Sequence, residues 1–220
     1  MARSPPSASS PSTSGAESRP RTGHGVSAPV LVLASRSPQR RALLGTLGIE
    51  FRVVVAGVEE GSDVVVNARR KALAVADRVG VPSVGAVIGA DTEVLLDGRA
   101  LGKPGDADAA ARMLASLAGR AHEVVTAVAV VTPSTTVERS VAARVVMRPA
   151  DPARVAWYVG SGEWRERAGG YAIQGAGAAL VERVEGDPSA VVGLPVGAVA
   201  EMLAEVGLGP WAPGAQNSGG

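Results

Sequence analysis

The chain has 220 residues, of which 46% are hydrophobic, and a formal net charge of +1. This length and apolar content suffice for one domain with a sizeable core, whereas the nearly neutral charge argues against a surface that binds nucleic acids or membranes. The chain contains no cysteine, which excludes disulfides, thiolate metal sites and cysteine nucleophiles and is consistent with a cytoplasmic protein.

The two ends of the chain differ in composition from the rest. Residues 1–28 are rich in Ser, Pro and Gly and contain almost no large apolar side chains. Such a segment cannot bury enough surface to offset the entropy of ordering, so it predicts a disordered tail, and it lacks the apolar core of a secretory signal. We expect one domain over residues 29–208 and a flexible tail over 209–220.

Predicted strands and helices alternate from residue 29 onward. VLVLAS is an apolar strand that leads into a helix capped by Ser37, FRVVVAG (51–57) is a second strand, and an amphipathic helix follows over 63–79. The later segments predict, in order, a hairpin turning at Asp97-Gly98, a helix capped by Asp106, two strands joined around Pro133, a helix opening at Asp151-Pro152, a strand after a glycine-rich segment, and a last helix from Leu194. Mixed helices, strands and hairpins indicate an α/β fold with a mixed sheet.

The first predicted helix has an unusual charge pattern. Its first turn carries Arg40 and Arg41 and no acid, although a helix N-terminus is the positive end of the helix dipole. Either these arginines are solvated at a small energetic cost, or an anion occupies that helix end when the protein works.

Four further positions place polar groups in apolar or glycine-rich surroundings. Lys71 falls on the apolar stripe of the 63–79 helix, where it either extends past its neighbours to water or points into an anion site. Asp91 follows the apolar run VIGA and is either a turn residue or a cleft residue. Lys103 lies between a glycine and a proline, and Gln174 lies in AIQG.

Carboxylates and cations of this kind suit a polyphosphate ligand. Asp91 and the Glu59-Glu60 pair are hard oxygen donors, and Arg40, Lys71 and Lys103 can neutralise phosphates. This combination favours Mg²⁺ or Mn²⁺ as a cofactor that bridges protein and phosphate oxygens.

Seven short segments occur in an order and spacing that resemble the Maf family of nucleoside triphosphate pyrophosphatases: LASRSPQRRALL, VEE, ARRKA, IGADT, LGKP, AGGYAIQG and SAVVGLP. The resemblance covers nearly all of residues 30–208. It implies a mixed α/β fold with a central cleft, related to inosine triphosphate pyrophosphatases, and a homodimer. It also implies Mg²⁺- or Mn²⁺-dependent hydrolysis of a nucleoside triphosphate to the monophosphate and pyrophosphate.

The same resemblance implies roles for individual residues. Asp91 is the expected general base, and Glu60 together with Asp91 is expected to hold the metal. The expected phosphate-binding residues are Ser35, Arg40, Lys71 and Lys103, and the expected specificity residues are Gln39, Thr92 and Gln174. If a phosphate group binds at the first helix, it supplies the negative charge that the arginines there lack.

The specificity positions point to two kinds of substrate. Thr92 and Gln174 resemble members that act on dTTP and UTP, and both offer neutral groups that can donate and accept hydrogen bonds to a pyrimidine. Gln39, which replaces the first arginine of the family's S-P-R-R, is closer to the 7-methyl-GTP type. We therefore expect dTTP and UTP as substrates, with selectivity weakened or broadened at Gln39.

Two other features bear on function. The segment between Glu60 and Lys71 is shorter than is usual in the family, which predicts a reshaped cleft mouth. The family's link to cell division leaves an alternative from another class, a nucleotide-binding regulator without significant turnover.

Overall fold

The computed structural model describes residues 30–80 and 85–211, and these residues form a sheet of seven strands between helices. The strands are β1 (Leu31–Leu33), β2 (Phe51–Val53), β3 (Ala86–Leu96), β4 (Arg99–Leu101), β5 (Ala121–Val131), β6 (Thr136–Met147) and β7 (Val181–Glu185). The helices are α1 (Pro38–Gly45), α2 (Val64–Val79), α3 (Ala107–Leu117), α4 (Pro152–Ser161), α5 (Pro188–Val192) and α6 (Val196–Glu205), with 3₁₀ turns at Ala168–Gly170 and Ala176–Leu180.

The sheet is mixed, as the sequence predicted. Its strand order is β2-β1-β3-β5-β6-β7, with β4 paired to β3. β1 is parallel to both β2 and β3, whereas β3, β5, β6 and β7 pair in antiparallel fashion. The chain leaves β1 on one side to form β2 and returns on the other side as β3, so a crevice is expected beyond the C-terminal end of β1.

Alternating side chains of β1 and of Ala34, which follows it, contribute to two hydrophobic clusters on opposite faces of the sheet. Val32 and Ala34 pack in the cluster that includes α2, and Leu31 and Leu33 pack in the cluster that includes α1 and α6. A third cluster joins α3 and α4 to the far half of the long strands. The first two clusters pack α2 and α1 on opposite faces of the sheet, next to the end of β1.

Most predicted elements are confirmed, with two differences. The strand predicted over 51–57 ends at Val53, because its partner β1 is only three residues long. The guanidinium of Arg78 then donates to the carbonyls of Val55 and Ala56, each at 2.8 Å, in place of a neighbouring strand. The short helix α5, which Asp187 caps, was not predicted.

The predicted tails lie largely outside the described residues. Residues 1–28 and 212–220 are not described, so the prediction of a disordered N-terminal tail is not addressed by the structure. Gly209 still packs against α6, since a Cβ at this position would lie 2.8 Å from the Cα of Ala204. Among the described helices, none has the length and apolar character needed to cross a membrane.

Candidate active site

A cleft of about 640 Å³ opens beyond the C-terminal end of β1, within the size range of small-ligand sites. α1, the segment after β2, the middle of β3 and the turn after Ala168–Gly170 line its walls. The structure brings all the predicted site residues to this one cleft: Ser35, Gln39, Arg40, Glu60, Lys71, Asp91, Thr92, Lys103 and Gln174.

The ammonium group of Lys71 joins two carboxylates on the cleft floor. Its Nζ lies 2.7 Å from Oδ1 of Asp91 and 2.6 Å from Oε1 of Glu60. The Lys71 and Asp91 side chains are only 9% and 12% exposed, whereas that of Glu60 is 46% exposed. The side chain of Lys71 therefore does not extend past its neighbours to water. It places its charged group inside the cleft.

The surroundings of Glu60 stabilise its ionised form. Burial alone would raise the pKa of this carboxyl, but the hydrogen bond to Lys71 and the charges of Lys71, Lys103 and Arg40 outweigh it and hold the pKa below the ordinary value. Glu60 therefore stays ionised at neutral pH, beside the second carboxylate of Asp91.

Asn67 is a site residue that the sequence analysis missed. Its side chain is almost completely buried, and its Nδ2 donates to Oδ2 of Asp91 and to the carbonyl of Gly61, both at 2.8 Å. Its Oδ1 accepts from the amide of Gly61, also at 2.8 Å. Asn67 thus ties the loop after Glu60 to Asp91. The signal in the sequence was a polar residue one turn before Lys71 on the inward face of the helix.

Gly89 permits the close approach of α2 to β3 that makes these contacts possible. A Cβ at Gly89 would lie 2.1 Å from the carbonyl oxygen of Ala68 and 2.7 Å from the amide nitrogen of Ala72. No other residue type fits against the helix backbone at these distances. This contact brings Asn67 and Lys71 within hydrogen-bond distance of Asp91.

Arg40 is partly buried and is bonded to the protein itself. Its Nε donates to the carbonyl of Gly193 and its Nη1 to the carbonyl of Ala90, both at 2.8 Å, and its Nη2 donates to Oγ1 of Thr92 at 3.0 Å. Burial lowers the pKa of its guanidinium, against the opposing charges of Asp91 and Glu60. The sequence left two explanations for Arg40 in the first turn of α1, solvation or a bound anion. The structure shows a third, in which protein oxygens accept its hydrogen bonds.

A second set of charges lies at the cleft mouth. Nζ of Lys103 and Nη2 of Arg36 lie 3.8 Å and 3.9 Å from the same oxygen of Glu166, and all three side chains are exposed. Glu166, which the sequence analysis did not single out, adopts a left-handed backbone conformation with φ of +59°. The mouth therefore offers two exposed cations that share one exposed carboxylate.

The predicted specificity residues lie on different walls. Gln39, in α1, accepts a hydrogen bond from Oγ of Ser37 at 3.2 Å, and Gln174 is exposed in the turn between the two 3₁₀ segments. The carboxylate of Glu163 holds the chain just after Gln174, because it accepts from the amides of Ala176 and Gly177 at 3.0 Å and 3.4 Å.

A buried histidine supports the cleft wall from behind. Nε2 of His122 lies 2.8 Å from Oη of Tyr171, which lines the cleft, and the two rings meet edge to face. Nδ1 of His122 is buried and has no partner among the described residues. Burial lowers the pKa of His122 to about 4, so the ring is neutral in the folded protein at pH 7.

We expect the stability of the protein to fall between pH 6.5 and pH 4. In this range the unfolded chain binds a proton on His122 and the folded chain does not, so acidification favours unfolding. At pH 5 the loss amounts to up to about 2 kcal/mol, or a Tm lower by about 4–8 °C. Thermal melts at pH 7 and pH 5 of the native chain and of His122→Gln measure it. An equal Tm difference in both proteins would contradict the assignment to His122.

Two carboxylates of the cleft, Glu60 and Asp91, are candidate ligands for a divalent cation. No group of three or more His, Cys, Asp or Glu side chains in residues 30–80 and 85–211 is arranged to hold a metal ion. Glu60 and Asp91 do share one partner atom, and Mg²⁺ is usually bound through one or two carboxylates together with substrate phosphates and water. The donor set thus suits a metal that arrives with a phosphate ligand better than a resident structural ion.

Curated relatives are similar in sequence to this chain over nearly their whole length. A dTTP/UTP pyrophosphatase of Thermus thermophilus is 48% identical over 183 residues, covering 83% of this chain and 97% of the relative. Proteins of the same name from an Anaeromyxobacter species and from Moorella thermoacetica are 44% and 45% identical, covering 86% and 82% of this chain and 97% of each relative.

One solved structure and one family model were also compared with the chain. A solved structure of a HAM1 protein from Coxiella burnetii has a TM-score of 0.49 and 16% identity, covering 81% of this chain and 100% of that chain. The model of the family described as Maf-like protein matches residues 30–206. That match spans the sheet and the whole cleft, and together with relatives at 44–48% identity it establishes that this chain belongs to the Maf family.

Proposed function

We propose that this chain hydrolyses dTTP and UTP between the α- and β-phosphates, releasing the nucleoside monophosphate and pyrophosphate. The curated relatives at 44–48% identity carry the name of this activity. The observation that carries the proposal is the convergence of Glu60 and Asp91 on Lys71 at the floor of a cleft whose mouth holds Lys103. Such a site combines a base with the cations that a polyphosphate requires.

The cations lower the main barrier to the reaction. Attack on a triphosphate is slow chiefly because negative charges repel the nucleophile, and Lys71 and Lys103 reduce that repulsion. Oγ of Ser35 accepts a hydrogen bond from the amide of Ser37 at 3.1 Å, and its hydroxyl proton remains available to donate to a phosphate oxygen. Lys71, Lys103 and Ser35 thus position the phosphates over the cleft floor.

Asp91 acts as the general base. One of its carboxylate oxygens accepts from Lys71 and the other from Asn67, which leaves lone pairs on both oxygens to accept a proton from water. The two donors fix the carboxylate plane, so the water can be held in line with the bond that breaks. General-base assistance of this kind is typically worth ~10²–10⁴-fold in rate.

Glu60 and Asp91 are the residues that would hold Mg²⁺ or Mn²⁺ in this site. The ion, when bound, supplies charge neutralisation to the phosphates. Because Lys71 already bridges the two carboxylates, it holds them close together before any ion binds.

Arg40 contributes mainly through its charge. Of its five N–H groups, three are bonded to protein acceptors. A direct phosphate contact would therefore use one of the two remaining N–H groups. Gln39, Thr92 and Gln174 form the part of the cleft that we assign to the base.

A panel of nucleotides tests the proposal. The native chain is incubated with dTTP, UTP, CTP or 7-methyl-GTP and Mg²⁺ or Mn²⁺, with EDTA as the control, and the products are separated. We expect monophosphate and pyrophosphate, with dTTP and UTP preferred and EDTA abolishing turnover. Release of inorganic phosphate and a diphosphate would contradict the bond assignment. Stoichiometric nucleotide binding without turnover would support the regulator instead.

The proposal also includes a cytoplasmic homodimer that binds no nucleic acid and no membrane. The resemblance to the family supports the dimer. The absence of cysteine suits a cytoplasmic location, and the net charge of +1 suits a surface that binds neither nucleic acid nor membrane. The domain boundaries at residues 29–208 remain a prediction. Light scattering on the purified chain measures the oligomeric state.

Asn67→Leu is expected to lower kcat by about tenfold or more and to reduce stability, because it removes the donor to Asp91 and both bonds to Gly61. Asn67→Asp separates the two effects. It keeps an acceptor for the Gly61 amide but places a second carboxylate against Asp91, so its kcat should be no better than that of Asn67→Leu. Native kcat in a folded Asn67→Asp variant would show that Asn67 only supports the loop.

A further inference from the structure

A chain of hydrogen bonds runs from the cleft into the core through two threonines. Thr92 of β3 and Thr126 of β5 face each other in the sheet, and their Oγ1 atoms are 2.8 Å apart. Thr126 is completely buried, and its Oγ1 lies 2.7 Å from the carbonyl oxygen of Ala190 in α5. Thr92 lines the cleft at the other end of this chain.

The direction of each bond follows from counting protons. A hydroxyl group has one proton to donate and two positions at which it can accept. The carbonyl of Ala190 can only accept, so Thr126 donates its proton there. The bond between the two hydroxyls must then be donated by Thr92.

Arg40 occupies one of the two acceptor positions of Thr92. Its Nη2 donates to Oγ1 of Thr92 at 3.0 Å, while its other donors are bound to Ala90 and Gly193. The backbone is also close, since a Cβ at Gly193 would lie 3.3 Å from Oγ1 of Thr92. Neither Arg40 nor Thr92 can turn without breaking these bonds. The single hydroxyl proton of Thr92 is therefore used in the hydrogen bond to Thr126, and its Oγ1 retains one free position at which it can accept a hydrogen bond.

We infer that Thr92 presents only a hydrogen-bond acceptor to the nucleobase and that Thr126 is the positioning residue that imposes this polarity. The inference rests on the proposed function and deepens it. Thymine and uracil both carry an N–H at ring position 3, which an acceptor matches. Cytosine has a lone pair at that position, so the same oxygen repels it. The hydroxyl thus selects the imide edge of a pyrimidine instead of donating and accepting indifferently, as its sequence alone suggested.

The test compares UTP with CTP in matched variants. Valine has nearly the same shape as threonine but cannot accept a hydrogen bond, so in Thr126→Val the hydroxyl of Thr92 is free to donate to cytosine. We expect the ratio of kcat/KM for UTP to that for CTP to fall at least ~10-fold in Thr126→Val and to stay within about twofold of native in Thr126→Ser. A merely structural role would lower both nucleotides alike and leave the ratio unchanged.

The outcomes separate this inference from the proposed function. A folded Thr126→Val variant with the native ratio overturns the inference alone, because the native chain is then still an active pyrophosphatase. A native chain that releases pyrophosphate from neither dTTP nor UTP overturns both. If Thr126→Val fails to fold, Thr126→Cys carries the same comparison, since a thiol is only a weak acceptor.

Discussion

Asp91→Asn is expected to lower kcat/KM for dTTP by at least ~100-fold, since an amide at neutral pH cannot take a proton from water. The two side chains have nearly the same shape, but the hydrogen bonds that Asp91 makes cannot all be kept by Asn. Asp91 accepts from Lys71 on one oxygen and from Asn67 on the other, and an Asn side chain has one acceptor and one donor group. One of the two partners then faces a donor.

That mismatch predicts a loss of stability beside the loss of activity. A buried donor left without its acceptor costs about 1–3 kcal/mol, which corresponds to a Tm lower by about 2–12 °C for a chain of this length. Asp97→Asn is the matched control, because Asp97 lies exposed in the β3–β4 hairpin at φ of +51°, a conformation that Asn tolerates. Activity of Asp91→Asn within tenfold of the native chain would remove Asp91 from the role of base.

The cleft floor shows what could be predicted from the sequence. Lys71 stood out because a cation interrupts an apolar stripe at helical spacing, and its spacing alone placed it on the inward face of α2. Asn67 lies on the same face, but its partner Asp91 is 24 residues away, and no local pattern reports that contact. The contact depends on the close packing of α2 against Gly89, which is a property of the folded chain.

For Arg40, the sequence identified the residue but not its partners. The sequence identified an arginine at an unfavourable helix end and suggested an anion as its partner. Its actual partners include the carbonyls of Ala90 and Gly193, which are 50 and 153 residues away in the chain. Backbone carbonyls carry no residue-specific signal, so side-chain patterns could locate the cation but not its acceptors.

The short length of β1 explains why β2 is shorter than predicted. The apolar run over 51–57 has the composition of a strand, but a strand extends only as far as its neighbour does. β1 ends at Leu33, and beyond it the chain from Val55 to Val58 lines the cleft instead. The length of one strand thus sets where the neighbouring segment becomes part of the site.

Removing the charge of Lys71 is expected to damage both stability and activity. Lys71→Met leaves the carboxylate of Asp91 buried without its cation, and breaking such a pair typically costs about 3–5 kcal/mol. Turnover should fall at least ~100-fold, because the two carboxylates then repel each other and the triphosphate. Arg112→Met is the control, since Arg112 is exposed on α3 and does not line the cleft.

The pH profile of a folded Lys71 variant gives an independent measurement. In the native chain the hydrogen bond and charge of Lys71 oppose the effect of burial and keep the pKa of Glu60 below its ordinary value. Without Lys71 the effect of burial is less opposed, so the pKa of Glu60 rises and the carboxyl is protonated at higher pH. We therefore expect the acid side of the pH–activity profile of Lys71→Gln to move to higher pH, while Arg112→Met keeps the native profile. An unmoved profile in Lys71→Gln would show that Glu60 does not need to be ionised for turnover.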